Sequence, residues 1–316
     1  MRYYKYSQYL KDKYGAKTYK LPVNLILTCP NRDGVLGTGG CDYCGEEGAS
    51  FEEASNTSVQ EQLLELKDPI ANKYNAEQFI AYFQNFTNTY LPLDKLLDNI
   101  EQALEIEDIV EVALATRPDC ISREYASAID GLVAEKDPET NINLELGLQS
   151  VNCHTLKNIN RGHTLAEFID TVNIAQEYGF DVGVHLILNL PGDDILDVIE
   201  SAKVVSALGV DNVKLHALYI REDTELGRQY QNGDLEMISL EEYIERVIVF
   251  LEHLDPEIGV QRLLGKAPQE GTLFVNWGYN YSEVNNLILQ EMEDRDSQQG
   301  DKFDYLDGKA LSKYRP

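Results

Sequence analysis

Residues 27–44 read Leu-Thr-Cys-Pro-Asn-Arg-Asp-Gly-Val-Leu-Gly-Thr-Gly-Gly-Cys-Asp-Tyr-Cys, which places three thiols at Cys29, Cys41 and Cys44. Two residues separate Cys41 from Cys44, so both thiolates can reach one metal centre. The long gap before them contains glycines at positions 34, 37, 39 and 40, which permit positive φ and let the backbone pass close to a bulky inorganic group. An apolar run, residues 23–28, precedes this cysteine loop and predicts a β-strand that leads into it.

Three thiol ligands, rather than four, indicate an iron–sulfur cluster with an open position. A structural zinc site closes its shell with four Cys or His donors, and the loop contains no His and no fourth Cys. A [4Fe-4S] cluster held by three thiolates leaves one iron free to bind S-adenosylmethionine and pass it an electron. The sulfonium C–S bond then breaks and yields a 5′-deoxyadenosyl radical. Two alternatives stay open at this point: a zinc site that borrows a distant ligand, or three unrelated buried cysteines.

Length and cysteine content predict a single cytoplasmic domain. The 316 residues suit one α/β barrel. The chain opens Met-Arg-Tyr-Tyr-Lys without an apolar signal region and contains no long apolar run, so we expect a soluble protein with no membrane partner. Five cysteines are an odd number, which argues against a complete disulfide framework and favours a reducing compartment.

The net charge of −27 argues against a nucleic-acid partner, because an acidic surface repels phosphate backbones. The charge is unevenly distributed, however: residues 1–22 carry six cations against one anion, a net charge of +5, interleaved with six tyrosines. Basic residues among aromatics suit phosphate contacts and base stacking of RNA. The alternative is a surface arm whose tyrosines pack on the barrel. The cations of this basic arm are Arg2, Lys5, Lys11, Lys13, Lys17 and Lys20.

Strand-like and helix-like segments alternate along most of the chain. This pattern predicts a parallel sheet with right-handed crossovers, here an α/β fold with a partial (β/α)6 TIM-type barrel. The predicted strands are residues 23–28, 78–84, 110–116, 142–149, 181–188 and 212–218, and the helices are residues 58–68, 93–106, 122–136, 165–178 and 195–208.

The regular alternation of strands and helices ends after residue 227. There a helix at 240–254 is followed by short β-like runs at 260–264 and 273–277 and a helix at 283–292. We therefore divide the chain into the arm (1–22), the barrel (23–227) and an α+β extension (228–316) that packs on the barrel.

Polar residues gather at the carboxyl ends of the predicted strands, where the loops of a parallel barrel converge. A buried polar side chain in an apolar strand needs a partner, and a bound nucleoside would supply one. Each residue also has a simpler interpretation: either histidine can be satisfied by backbone, and Arg161 can pair with an acidic neighbour or with a ligand carboxylate. Cys120 and Cys153 are interpreted as small buried residues, and Trp277 as a packing residue. The candidates are Gln84, Thr116, Gln149, Arg161, His185, His216 and Tyr219.

Several motifs together resemble the core of the radical S-adenosylmethionine (radical SAM) superfamily, in the branch that includes the elongator catalytic subunit. Taken together, these motifs identify the chain as a member of the YhcC/YtqA-like family of bacterial radical enzymes. The motifs are Cys29-Pro-Asn-Arg-Asp-Gly34, Ala81-Tyr-Phe-Gln84, Ala115-Thr-Arg-Pro-Asp119, Glu145-Leu-Gly-Leu-Gln149-Ser, Asn160-Arg-Gly-His-Thr164, Val184-His-Leu-Ile-Leu-Asn-Leu-Pro-Gly192, Lys214-Leu-His216 and Gln261-Arg262.

The resemblance implies cofactors and roles. It implies a [4Fe-4S] cluster on Cys29, Cys41 and Cys44, bound S-adenosylmethionine, and an external electron donor such as flavodoxin or ferredoxin. Two departures affect the cofactor site: Gln84-Asn-Phe-Thr87 replaces the glycine-rich turn after strand two, and Ala115 replaces an acidic residue on strand three. His216 and Tyr219 are assigned to the substrate. The cofactor-binding residues are expected to be Tyr43, Gln84, Thr116, Gln149, Arg161 and His185.

The resemblance further implies work on the wobble uridine of tRNA, by trimming a carboxymethylaminomethyl side chain to aminomethyl. No acetyltransferase sequence follows the barrel, so we expect no acetyl transfer. A radical SAM enzyme acting on a small molecule or peptide is one alternative, which the charge of −27 favours. A non-enzymatic binding module stabilised by zinc is the other.

Overall fold

The computed structural model describes residues 1–45, 55–268 and 270–314. Its main sheet contains seven parallel strands in the order β1-β2-β3-β4-β5-β6-β8, curled into a partial barrel. A two-stranded antiparallel pair, β7 and β9, lies beside it. The strands are β1 (Thr18–Val23), β2 (Gln78–Phe83), β3 (Ile109–Thr116), β4 (Asn141–Gln149), β5 (Asp181–Ile187), β6 (Asn212–His216), β7 (Ile220–Arg221), β8 (Gly259–Arg262) and β9 (Thr272–Phe274).

Most helices begin at the residues that the sequence marks as caps. Ser58, Thr164, Asp194 and Asn280 each form a capping box with an acidic residue three positions on. Ser122 accepts a bond from the Tyr125 amide, as expected from its sequence position. The helices are α1 (Tyr6–Tyr14), α2 (Val59–Tyr74), α3 (Leu93–Leu104), α4 (Arg123–Lys136), α5 (Cys153–Asn158), α6 (Leu165–Glu177), α7 (Ile195–Ala207), α8 (Glu225–Asn232), α9 (Leu240–His253) and α10 (Tyr281–Asp294).

The two faces of the barrel sheet differ in polarity. Alternate residues such as Leu114, Leu144 and Val184 are fully buried in the main hydrophobic core with the surrounding helices. The opposite face carries polar residues as well, and Glu111, Asn143 and Glu145 are all buried there. Because side chains alternate across a strand, the polar set lines the interior of the barrel and positions the site.

The first strand lies earlier in the chain than predicted. The sequence predicted residues 23–28, but β1 is Thr18–Val23 and residues 24–28 form no strand. Side chains, rather than a neighbouring strand, bind the backbone there: Gln62 accepts from the Asn24 amide (2.9 Å) and Asn85 from the Leu25 amide (3.2 Å). Pro22 is tolerated in β1 because β1 is an edge strand of the described sheet.

The partial barrel is confirmed, but with seven strands instead of six. The β-like run predicted at 260–264 forms β8, which pairs parallel with β6 through Asn212↔Gly259 and Val213↔Val260. A strand assigned to the extension is therefore part of the barrel sheet.

Helix α1 closes the amino-terminal end of the barrel. Tyr6, Tyr9 and Tyr14 pack with Leu10 against Ile80, Tyr82 and Ala113. Tyr14 donates to Glu111 (2.6 Å), and Lys13 pairs with Asp181, the first residue of β5. For these residues the packing interpretation of the basic arm is confirmed, and they do not form a free RNA-binding arm.

Three smaller expectations have mixed outcomes. Cys153 is exposed and Cys120 is half-buried, so the expectation of two buried cysteines was wrong. Trp277 packs against Tyr243 with ring centroids 5.0 Å apart, and its indole nitrogen donates to the Ile238 carbonyl (2.6 Å), which confirms a packing role. Among the helices of the described residues, none has the length and apolar character needed to cross a bilayer.

Candidate active site

One cavity at the carboxyl ends of the strands collects every residue that the sequence singled out for chemistry. Its volume is about 380 Å³. The residues come from the cysteine loop, from the ends of β2 to β6 and from the loop after α5, which are far apart in sequence. The cavity is lined, among others, by Cys29, Cys41, Tyr43, Cys44, Gln84, Thr116, Gln149, Arg161, His185, His216 and Tyr219.

Each of the three thiols has a guanidinium beside it. Arg32 Nη2 donates to Cys44 Sγ at 3.2 Å, and Arg161 Nη1 to Cys41 Sγ at 3.6 Å. Arg117 Nη1 lies 4.0 Å from Cys29 Sγ. Positive charge beside a thiol favours the thiolate, which is the form that ligates metals. At Cys44, burial outweighs Arg32 and raises the pKa of the thiol.

The Asn-Arg-Gly-His motif holds the cysteine loop in place. Asn160 Nδ2 donates to the Gly40 carbonyl (2.7 Å), and Asn31 Nδ2 donates to the Asn160 carbonyl (2.6 Å) and to Cys41 Sγ (3.6 Å). Gly40 has φ +87°, which only glycine adopts easily, and a Cβ there would meet Arg32 at 3.0 Å. Two loops that are 120 residues apart are thus joined directly beside Cys41.

A bulge at the end of β4 places Arg161 and Gln149 side by side. The register of β4 against β5 shifts between Gly147 and Gln149, and Gln149 has φ +74°. Arg161 Nη2 donates to the Gly147 carbonyl at 2.6 Å. A Cβ on Gly147 would lie 2.8 Å from that Nη2 and 2.9 Å from Gln149 Nε2, so any larger residue at this position would have to displace the end of one of these two side chains.

Two other predicted cofactor residues are bonded to their neighbours at the cavity wall. Gln84 Nε2 donates to Asn24 Oδ1 (3.2 Å), and the Thr116 hydroxyl shares a hydrogen bond with the Thr89 hydroxyl (2.6 Å). Burial raises the pKa of Tyr219 to about 12, so its hydroxyl stays protonated at neutral pH.

The donor set fits the cluster that the sequence predicts. Three thiols line one cavity, each with a cationic donor, and the buried Nε of Arg161 has no partner among the described residues. Nowhere in residues 1–45, 55–268 and 270–314 do three His, Cys, Asp or Glu side chains come close enough to hold a single metal ion.

A buried carboxylate organises the deeper half of the cavity. Glu145 on β4 accepts from His185 Nε2 (2.6 Å), from Gln261 Nε2 (2.9 Å) and from Lys20. Lys214 Nζ lies 3.7 Å from the same carboxylate and donates to the Tyr82 hydroxyl at 2.9 Å. Burial alone would raise the pKa of Glu145, but Lys20 and Lys214 outweigh it and hold the pKa well below its usual range.

His185 and His216 stand beside this carboxylate as neutral rings. Their centroids are 5.5 Å apart. Burial, then Lys214, lower the pKa of His185 to about 4, and burial with Arg262 lowers that of His216 well below 6.5. The bond to Glu145 fixes the proton of His185 on Nε2, which leaves Nδ1 as an acceptor.

The cavity is strongly cationic although the chain is acidic. Among the described residues that line it, Glu145 is the only carboxylate. The sequence reasoning missed most of these charges, although a usable signal existed: Glu145 and Lys214 interrupt apolar strands just as His185 does. The lining cations are Arg32, Arg117, Arg161, Lys214, Arg262 and Lys266.

Residues 24–205 match the family model described as the Radical SAM superfamily, and residues 210–294 match the Radical_SAM C-terminal domain. The chain is 35% identical over 307 residues to the uncharacterized protein YtqA of Bacillus subtilis (strain 168), covering 97% of this chain and 94% of YtqA.

Among the more distant relatives are proteins whose names state an activity. The chain is 26% identical over 204 residues to a tRNA uridine(34) acetyltransferase of Methanocaldococcus infernus, covering 62% of this chain and 36% of that protein. Its fold is similar to the solved structure of archaeal Methanocaldococcus infernus Elp3 with an N-terminal deletion. The TM-score is 0.68 at 17% identity, over 90% of this chain and 64% of that one, so this likeness concerns the fold alone.

Proposed function

The chain belongs to the radical SAM superfamily and, within it, to the YhcC/YtqA-like family, and we propose that it modifies the wobble uridine of tRNA. Its cofactors are a [4Fe-4S] cluster and S-adenosylmethionine. The family makes a zinc-stabilised module without catalytic activity untenable. The observation that carries the proposal is the meeting of the three thiols and the predicted cofactor residues in one cationic cavity.

In this proposal Cys29, Cys41 and Cys44 hold the cluster, and Arg32, Arg117 and Arg161 stabilise their thiolate charge. When bound, the two cofactors supply reductive cleavage of the sulfonium bond and hence a carbon radical that abstracts hydrogen. Tyr43, Gln84, Thr116, Gln149, Arg161 and His185 seat S-adenosylmethionine.

His185 and His216 divide the cavity between cofactor and substrate. Glu145 binds Nε2 of His185, which leaves Nδ1 of this cavity-lining ring as an acceptor. His216 and Tyr219 contact the substrate in this proposal. Both histidines stay neutral and the Tyr219 hydroxyl stays protonated at neutral pH. These three side chains can therefore form hydrogen bonds with a ligand without adding charge to the cavity.

The tRNA proposal is supported by the name of the relative from Methanocaldococcus infernus, a tRNA uridine(34) acetyltransferase. The cationic cavity suits an anionic substrate. The reaction we propose removes the carboxymethyl group from a carboxymethylaminomethyl uridine. Abstraction of hydrogen from its methylene, loss of one further electron and hydrolysis of the resulting imine leave aminomethyl uridine and glyoxylate, and S-adenosylmethionine, the oxidant, is consumed to methionine and 5′-deoxyadenosine. An external reductant such as flavodoxin or ferredoxin would supply the electron.

A radical enzyme that acts on a small carboxylate or peptide is the second candidate. It is favoured by the net charge of −27 and by the burial of the basic arm's helix in the barrel. Either version places the protein in the cytoplasm, because cluster thiols require a reducing compartment.

The radical chemistry is tested by Cys41→Ala, with Cys153→Ala as matched control because Cys153 is exposed and does not line the cavity. After anaerobic reconstitution, Cys41→Ala should lose the visible absorbance of the cluster and the production of 5′-deoxyadenosine, and Cys153→Ala should keep both. Survival of either property in Cys41→Ala would show that the ligand assignment is wrong.

The substrate is tested by nucleoside analysis of tRNA from cells that lack the protein. Carboxymethylaminomethyl uridine should accumulate at the expense of aminomethyl uridine, and the wild-type gene, but not Cys41→Ala, should restore the balance. An unchanged nucleoside profile would reject tRNA in favour of the small-molecule candidate.

A further inference from the structure

We propose that Arg262, positioned by His216, binds a carboxylate of the substrate inside the barrel. The inference rests on the proposed function and names the part of the substrate that the deep half of the cavity recognises.

Arg262 is a cation without an anionic partner. It lies on β8, and its guanidinium lines the cavity. No ion pair joins it to any carboxylate of residues 1–45, 55–268 and 270–314, and its Nε is buried without a hydrogen-bond acceptor. Burying an uncompensated charge is unfavourable, so such groups are normally paired. A ligand anion would supply the missing partner.

The guanidinium is nevertheless fixed in place. Its Nη2 lies 2.8 Å from Nδ1 and 3.0 Å from Nε2 of His216. Gly265 lies next to both side chains, since a Cβ there would meet His216 Nδ1 at 3.3 Å and Arg262 Nη2 at 3.4 Å. The Arg262 guanidinium is therefore held in a fixed orientation. Its planar set of N–H donors is the geometry that recognises a carboxylate with two parallel hydrogen bonds.

Glu145 favours the charge of Arg262 at a distance but forms no ion pair with it. Its oxygens are already bonded to Lys20, His185 and Gln261. Lys214, the other deep basic group, has a pKa that burial lowers well below its usual value, and it is satisfied by the Tyr82 hydroxyl and the Glu145 carboxylate. Arg262 is left as the deep cation with free donors.

The position of Arg262 favours a carboxylate on the reacting nucleoside over a backbone phosphate. It sits on a strand inside a cavity of about 380 Å³. A single nucleoside turned out of its stack can enter such a space, but the duplex backbone cannot. The carboxymethyl group of the proposed substrate would carry the charge.

The test measures binding, not turnover, with the reconstituted enzyme. Two anticodon stem-loops are compared, one with carboxymethylaminomethyl uridine and one with aminomethyl uridine at the wobble position. The wild type should bind the first at least about tenfold more tightly, the ratio expected for a charge-assisted hydrogen bond. Arg262→Met should bind both within about twofold, and Arg262→Lys should keep part of the preference because it retains charge without the fork.

Two further measurements separate the explanations. Arg123→Met removes an exposed arginine on α4 and should keep the wild-type preference. The thermal midpoint of Arg262→Met should equal or exceed that of the wild type, since an apolar isostere relieves a buried charge. A lowered midpoint with an unchanged RNA ratio would overturn the inference in favour of a structural role.

The affinity for S-adenosylmethionine is measured in parallel. Weaker cofactor binding by Arg262→Met with an unchanged RNA preference would assign Arg262 to the cofactor carboxylate instead and overturn the inference. A wild type that forms 5′-deoxyadenosine but does not distinguish the two RNAs would overturn it and leave the radical chemistry intact. Absence of 5′-deoxyadenosine from the wild type would count against the proposed function itself.

Discussion

Gly147 shows how one missing side chain shapes the part of the cavity around Arg161 and Gln149. It sits at the bulge in β4, where the Arg161 guanidinium and the Gln149 amide both approach its Cα. The carbonyl of the same residue accepts from Arg161 and, at 3.1 Å, from His163 Nε2. A side chain at this position would therefore push against both Arg161 and Gln149.

We expect Gly147→Ala to weaken binding of S-adenosylmethionine by about tenfold or more, because the new Cβ would displace Arg161 or Gln149. Titration calorimetry of the reconstituted protein measures the effect. Gly131→Ala is the matched control: Gly131 lies in α4 with nothing within 4 Å of its Cβ position, so the change should leave cofactor affinity unaltered and raise stability by about 1 kcal/mol. Unchanged affinity in Gly147→Ala would remove Arg161 and Gln149 from the cofactor site.

At the residue scale the sequence predicted which positions meet but not how they are held. The alternation of strands and helices was enough to predict that Gln149, His185 and His216 lie together at the carboxyl ends of the barrel strands. The partners of those residues depended on contacts over long sequence distances. Lys20, for example, reaches Glu145 from 125 positions away, and no local pattern encodes that contact.

Elements with strong local signals were predicted closely, and those that depend on neighbours were not. The capped helices and strands β2 to β5 agree with prediction to within a few residues. β1 was misplaced because residues 23–28 are as apolar as a strand but bind side chains of α2 and of the loop after β2. β8 was assigned to an extension because its partner, β6, lies more than 40 residues earlier.

Helix α1 was the element whose role was least predictable, because composition alone could not separate RNA binding from packing. Since α1 lies at the amino-terminal end of the barrel, opposite the cavity, we expect the triple change Lys5→Gln, Lys11→Gln, Lys17→Gln to leave tRNA affinity within about twofold. These three lysines are the exposed cations of the arm. Filter binding at fixed salt provides the measurement.

Leu10→Ala serves as the comparison for α1, because Leu10 is 3% exposed. It should cost about 2–5 kcal/mol in free energy of unfolding, measured in urea. A tenfold loss of tRNA affinity in the lysine variant would restore the basic arm as an RNA-binding element.

At the scale of the whole molecule, charge is segregated between exterior and interior. The chain carries −27 overall, yet its cavity is lined by six cations and one carboxylate among the described residues. An acidic exterior repels the tRNA backbone at long range, while the cavity attracts an anionic group at short range. Specificity would then come from one nucleoside, with little contribution from phosphate contacts.

This segregation predicts a shallow salt dependence of tRNA binding. If about three phosphates near the cavity mouth are neutralised, log Kd should rise with log salt with a slope of about 2, since each phosphate on a single strand contributes about 0.7. Screening of the acidic exterior, over about 10 Å at 0.1 M salt, would flatten the slope further.

The measurement is fluorescence anisotropy of a labelled anticodon stem-loop between low and physiological salt. The aminomethyl stem-loop is the control and should give nearly the same slope, because its phosphates are identical and only the carboxylate held by Arg262 is missing. A slope above about 6 would instead require an extended basic surface, and the cavity could then no longer be the main determinant of RNA binding.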